Sequence, residues 1–75
     1  MGKIVRRVPD GYITLIEWSP SDPAMVEAAE MIFCQEVENG YVAVMHDDNA
    51  HLNQPVRRLP VHAELVIMTI PMGGG

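Results

Sequence analysis

The last apolar run of the chain decides the fold. It reads Leu65-Val66-Ile67-Met68-Thr69-Ile70. An apolar run of this kind is typical of a strand in the middle of a sheet, either covered on both faces or partly exposed for a partner. Pro71 follows the run and stops the strand, because proline has no N–H to donate to a neighbouring strand.

Three glycines, Gly73, Gly74 and Gly75, stand shortly after this run. Glycine brings no side chain to pack, and it loses more backbone entropy on ordering than any other residue. A packed fold gains nothing from such residues, whereas a reaction that threads a free carboxylate through a narrow tunnel does gain. We therefore expect a folded domain over residues 1–72 and a flexible glycine tail over residues 73–75.

The first part of the chain predicts a β-hairpin. Residues 3–8 and residues 12–18 read as strands, and the second of them is rich in β-branched and aromatic side chains. The intervening Pro9-Asp10-Gly11 is typical of a tight turn, since proline fixes φ and glycine accepts a positive φ.

A helix is expected over residues 23–39. Asp22 is a favourable N-cap, and Pro23 suits the first helical position because its missing N–H is not needed there. Gly40 is the expected left-handed residue after the helix. The apolar residues that recur at helical spacing are Val26, Ala29, Ile32, Phe33 and Val37. The acidic residues of the helix are expected mostly at its sides or on the opposite face.

The second half predicts more strands. Residues 41–46 read as a strand, residues 47–54 as a polar loop, and residues 55–59 as a short strand or turn. The order is therefore β-β-α-β-(β)-β. The economical packing is α+β, with one helix across a mixed four- to five-stranded sheet whose first and last strands pair in parallel at the centre. This is the β-grasp arrangement.

Composition and charge exclude several classes of function. The chain has 75 residues and a net charge of −5, which disfavours nucleic acid as a main partner because a phosphate backbone needs a basic surface. Cys34 is the only cysteine, which excludes an internal disulfide and a cysteine metal cluster. No run approaches the roughly 20 apolar residues of a membrane span. We expect a cytoplasmic protein without a membrane or nucleic-acid partner.

The sequence resembles ubiquitin and its relatives. Ile13-Thr14-Leu15 followed by Pro20-Ser21-Asp22 is similar to ubiquitin's second strand and helix start, with one extra residue between the two motifs. The second half looks like the sulfur carriers of the same superfamily, the small subunit of molybdopterin synthase and the thiamine-pathway carrier. Val42-Ala43-Val44, Leu59 and Pro71-Met72 before the glycines carry that second resemblance.

The resemblance implies a carrier or substrate and not an enzyme, with no catalytic residue and no bound cofactor or metal. Its tail carboxylate would be adenylated by an activating enzyme that uses ATP and passed as a thioester to a conjugating enzyme. It would end in an isopeptide bond to a target protein, which a deconjugating peptidase would cleave. The alternatives are a sulfur carrier that forms a thiocarboxylate for cofactor biosynthesis, and a non-covalent β-grasp adaptor.

Two further sites are expected. Small ubiquitin-like proteins dock partners on the face of the sheet opposite the helix. Side chains alternate along the last strand, so that face carries one of two sets, either Leu65, Ile67 and Thr69 or Val66, Met68 and Ile70. We expect the docking face at Val8, Met68 and Ile70. Lys3 is the only lysine, so a modifier of this sequence would have Lys3 or its amino terminus as the only branch site.

The remaining polar residues give weaker patterns. His46 and His51 flank two aspartates, but they lack an established spacing for metal ligands, and polar residues suit a loop anyway. Cys34 is interpreted as a small residue on the flank of the helix stripe. The doublets Arg6-Arg7 and Arg57-Arg58 are expected to place one arginine on each face, because adjacent residues of a strand point in opposite directions.

Overall fold

The structure, a computed structural model, describes residues 1–47 and 52–70. The described residues form five strands and one helix. The elements are β1 (Gly2–Val8), β2 (Gly11–Trp18), α1 (Pro23–Glu38), β3 (Val42–Asp47), β4 (Leu52–Val56) and β5 (Leu65–Thr69).

The strands form one mixed sheet in the order β2-β1-β5-β3-β4. The central pair, β1 and β5, is parallel, and the other three pairs are antiparallel. Helix α1 packs across the sheet. The expected α+β class and the parallel pairing of the first and last strands are confirmed, and the arrangement is consistent with a β-grasp.

Helix α1 begins and ends at the signals that the sequence carries. The carboxylate of Asp22 accepts hydrogen bonds from the backbone N–H groups of Ala24 and Met25, at 3.1 and 3.4 Å. The helix ends at Glu38, one residue earlier than expected, and Asn39 is the C-cap. Gly40 follows with φ of 98°, a left-handed conformation that glycine adopts without a steric penalty.

The core lies between α1 and one face of the sheet. Its buried residues are Ile4, Trp18, Ala29, Phe33, Ala43, Val66 and Met68. Because side chains alternate along a strand, Val66 and Met68 point towards the helix while Leu65, Ile67 and Thr69 point away. Strand β5 therefore contributes one of its two alternating sets of side chains, that of Val66 and Met68, to the core.

Two sequence-based expectations are corrected at the helix and at β4. Val37 was assigned to the apolar stripe but is 44% exposed, whereas Glu36 is only 4% exposed. Position 36 follows Phe33 by three residues, so helical spacing brings it to the same face. Strand β4 begins at Leu52, inside the stretch expected to be a loop, because pairing with β3 overrides the polar composition there.

Trp18 ties the hairpin to the segment before β5. Its side chain is fully buried, and its indole Nε1 donates a hydrogen bond to the backbone carbonyl of Val61 at 2.9 Å. Gly2 packs against this side chain. A Cβ at position 2 would lie 2.5 Å from the indole ring and 2.6 Å from the carbonyl oxygen of Ala63. As long as the indole of Trp18 keeps its position, only glycine fits at position 2.

We expect Gly2→Ala to lower the free energy of unfolding by about 1–3 kcal/mol, the usual cost of overpacking a close contact. Urea unfolding followed by the fluorescence of Trp18, the only tryptophan, measures this change. The control is Lys3→Ala, which alters an exposed side chain at the next position of the same strand. Equal unfolding midpoints for the two variants would contradict the prediction.

Candidate functional site

The face of the sheet opposite α1, which we call the outer face, holds a shallow depression of about 420 Å³. The side chains that line it are Lys3, Val5, Tyr12, His46, Leu65 and Ile67. They come from β1, β5, β3 and the start of β2, which the sheet order brings side by side. The depression therefore exists only because the parallel pair β1–β5 stands at the centre.

The depression has an apolar floor and a polar rim. Val5 is only 5% exposed although it lies outside the core under the helix, so the neighbouring side chains of the sheet bury it. Leu65 and Ile67 are half-buried beside it. Lys3 is exposed at the rim, and Tyr12 is 60% exposed. An apolar surface rimmed by polar groups is typical of a site that docks a partner.

The predicted docking residues do not all reach this face. Met68 is fully buried in the core, so its assignment to a docking face was wrong. The prediction placed the set that contains Met68 on the outer face. The helix covers that set, so Leu65 and Ile67 lie on the outer face instead. Val8 is half-buried, and Ile70 is 61% exposed just after β5. Val8 shares the alternation of Ile4 and Arg6 along β1, which places it on the helix side of the sheet, whereas Ile70 lies beyond the last residue of β5.

Strand β5 leads towards the glycine tail. It ends at Thr69, and the described part of the chain stops at Ile70. The predicted activation residues Gly73, Gly74 and Gly75 lie outside the described residues, and so does His51 of the polar loop. The predicted role of the tail therefore stays a prediction.

The helix side of the sheet carries a paired charge. The guanidinium of Arg6 donates hydrogen bonds from Nε and Nη2 to the two carboxylate oxygens of Glu36, at 2.7 and 2.8 Å. The side chain of Arg6 is 34% exposed and that of Glu36 is 5% exposed. Arg6 Cζ also lies 5.1 Å from the centre of the Tyr41 ring, within the range of a cation–π contact. The two hydrogen bonds between Arg6 and Glu36 join β1 to the last turns of α1.

The carboxylate of Glu36 raises the pKa of Arg6 above its usual value, chiefly by accepting its hydrogen bonds, while burial acts in the opposite direction. The folded state therefore holds this proton more tightly than the unfolded chain does. The cation contributes stability at every pH below the ordinary pKa of arginine, and the contribution is lost only as the pH rises through the raised value.

The other candidate residues are placed as follows. Cys34 is exposed on α1. Within residues 1–47 and 52–70, no group of three or more histidine, cysteine or acidic side chains could hold a metal ion. In the same part of the chain, no helix has the length and apolar character that crossing a membrane requires.

Comparison with protein-family models, with curated proteins and with solved structures finds no match. The fold and the surfaces described above therefore rest on the chain's own residues.

We expect Glu36→Gln to lower the thermal unfolding midpoint by several degrees, because the arginine loses a charged partner in a partly buried contact. Glu27→Gln is the matched control, since it makes the same change at an exposed position of the same helix. Differential scanning calorimetry compares the two. A shift no larger than that of the control would mean that the contact contributes nothing as an ion pair.

Proposed function

We propose that this chain is a ubiquitin-like protein modifier whose glycine carboxylate is activated and joined to a target. The observation that carries the proposal is a combination. A sheet with the strand order of a β-grasp is followed, shortly after its central strand β5, by Gly73, Gly74 and Gly75. The reacting carboxylate is that of Gly75, or one that proteolysis exposes within the glycine run.

The chemistry needs little from the chain itself. A carboxylate is a poor electrophile, so an activating enzyme first transfers AMP from ATP to it and releases pyrophosphate. A cysteine thiolate of the enzyme then attacks the acyl carbon and AMP leaves. A target amine finally attacks the thioester and the thiolate leaves. Glycines suit this sequence of steps because they leave the acyl carbon unhindered and fit a channel too narrow for a Cβ.

The outer face supplies the second requirement, a surface by which enzymes hold the modifier while its tail reacts. Val5, Leu65 and Ile67 form its apolar floor, on the side of the sheet that α1 leaves uncovered. Strand β5 contributes to this floor and also leads into the tail. A partner seated on the outer face therefore contacts the strand that precedes the tail in the sequence.

A sulfur carrier is the second candidate, and the residues before the glycines favour it. Pro71 and Met72 stand where the sulfur carriers also have proline. In that reaction hydrosulfide attacks the acyl carbon of the adenylate, AMP leaves, and a thiocarboxylate results. The third candidate is a non-covalent adaptor, which never uses its tail chemically. The experiment has to distinguish it from the modifier and from the sulfur carrier.

The test uses the tagged chain, isolated from cells that naturally make it. We expect adducts in which a target amine carries the glycine run, and cyanogen bromide cleavage after Met72 leaves that run on the target for mass spectrometry. Deletion of residues 73–75 should abolish the adducts, while Glu27→Gln should keep them. Exchange of one tail oxygen for sulfur would identify the sulfur carrier, and an unaltered tail throughout would leave the adaptor.

Deletion of Gly75 alone shows which glycine reacts. Loss of all adducts assigns the reaction to Gly75, and full activity assigns it to Gly74.

The proposal makes a separate prediction about Lys3. Its side chain is exposed at the rim of the outer face, and it is the only lysine of the sequence. We expect any linkage between two copies to use Lys3 or the amino terminus, so Lys3→Arg with a blocked amino terminus should remove every such linkage. Arg7→Lys is the control that adds a lysine nearby. Linkages that persist in the Lys3→Arg variant with a blocked amino terminus would contradict the prediction.

A further inference from the structure

A second cavity lies between α1 and the bend that follows β4, away from the outer face. Its volume is about 310 Å³. The residues that line it are Glu30, Phe33, Cys34, Arg57, Arg58 and Leu59. We call it the arginine pocket.

Both arginines of one doublet line this pocket. The sequence predicts one arginine per face, and Arg6-Arg7 follows that rule, because Arg6 meets Glu36 on the helix side and Arg7 lies in the opposite register. Arg57 and Arg58 do not follow it, since β4 ends at Val56 and both residues lie in a bend. The bend brings both arginines to the wall of one cavity.

Neither of these two cations is held in an ion pair within the part of the chain that the structure describes. Arg6 pairs with Glu36, whereas Arg57 and Arg58 each lack such a carboxylate partner among residues 1–47 and 52–70. This is notable in a chain with ten acidic residues and a net charge of −5. The arginine pocket is therefore a local positive site on an acidic protein.

The floor of the pocket is apolar. Phe33 is 2% exposed and belongs to the core, and Leu59 is half-buried against that core. The exposed carboxylate of Glu30 stands on the helix rim, and the exposed thiol of Cys34 stands beside it. The pocket thus combines an apolar floor, a cationic wall and one acidic rim residue.

We propose that the arginine pocket binds an acidic peptide segment of a partner protein. An apolar side chain of that segment rests on Phe33 and Leu59, and a neighbouring carboxylate pairs with Arg57 and Arg58. Arginine suits this role because its planar fork of donors matches a carboxylate. The surface is distinct from the outer face and does not depend on the acyl transfer proposed above.

Size and charge favour a peptide over other anions. The volume is at the lower end of the range for ligand sites, so it accommodates one or two side chains and not a nucleotide. Glu30 on the rim repels a phosphate dianion more strongly than a single carboxylate. The exposed acids Glu27, Glu30 and Glu38 on α1 likewise disfavour an anionic membrane surface.

The test titrates the full chain with a capped hexapeptide, acetyl-Gly-Ser-Leu-Asp-Ser-Gly-amide, followed by two-dimensional NMR. We expect the peptide to shift the signals of Cys34 and Leu59 and the side-chain Nε signals of Arg57 and Arg58. Binding should weaken as salt is raised, because the pairs form near the surface. The same peptide with Asn in place of Asp should bind at least several-fold more weakly.

The variants separate the pocket from overall charge. Arg57→Gln with Arg58→Gln should weaken binding about tenfold, the loss expected for two partly exposed ion pairs. Lys3→Gln with Arg7→Gln removes the same charge from the outer face and should leave the affinity unchanged. All four positions are exposed, so neither double variant is expected to disturb the fold.

Four results would overturn the proposal. They are equal weakening by the two double variants, equal binding of the Asn peptide, shifts confined to the outer face, and no shift at all. Displacement of the peptide by inorganic phosphate at a similar concentration would also overturn it, since the pocket would then be a simple anion site.

Discussion

The parallel pairing of β1 with β5 is the constraint on which the rest of the structure depends. Parallel strands cannot be joined by a hairpin, so the chain between them must include a crossover connection. Helix α1 makes that crossing on one face. The register Ile4 to Val66 and Arg6 to Met68 then determines which side chains meet the helix. The core on one face and the depression on the other are two consequences of this single pairing.

The same pairing sorts the charged residues. Alternation along β1 sends Arg6 to Glu36 under the helix and leaves Lys3 at the rim of the outer face. The acidic residues of α1, apart from Glu36, remain exposed on the helix. The molecule therefore has acidic side chains along the helix and an apolar outer face with a lysine at its rim.

Local signals predicted the elements well, because each element depends on residues close to it in sequence. Asp22, Pro23 and Gly40 mark the ends of α1 through hydrogen bonds and backbone preferences that need no distant partner. Glu36 and Met68 were misjudged for the opposite reason. Glu36 is buried because Arg6 reaches it from β1, thirty residues away. Met68 is buried because the helix covers its set of side chains.

The sequence by itself determined the α+β class, the order of the elements, the alternation of β5 and the presence of a glycine run after it. These follow from spacing, caps and turn residues. Only the tertiary structure decided which face of β5 the helix covers, and therefore that Val5 and Ile67, and not Met68, line the outer face. It alone brought Arg57 and Arg58 to one pocket, because a bend, unlike a strand, does not send neighbouring side chains to opposite faces.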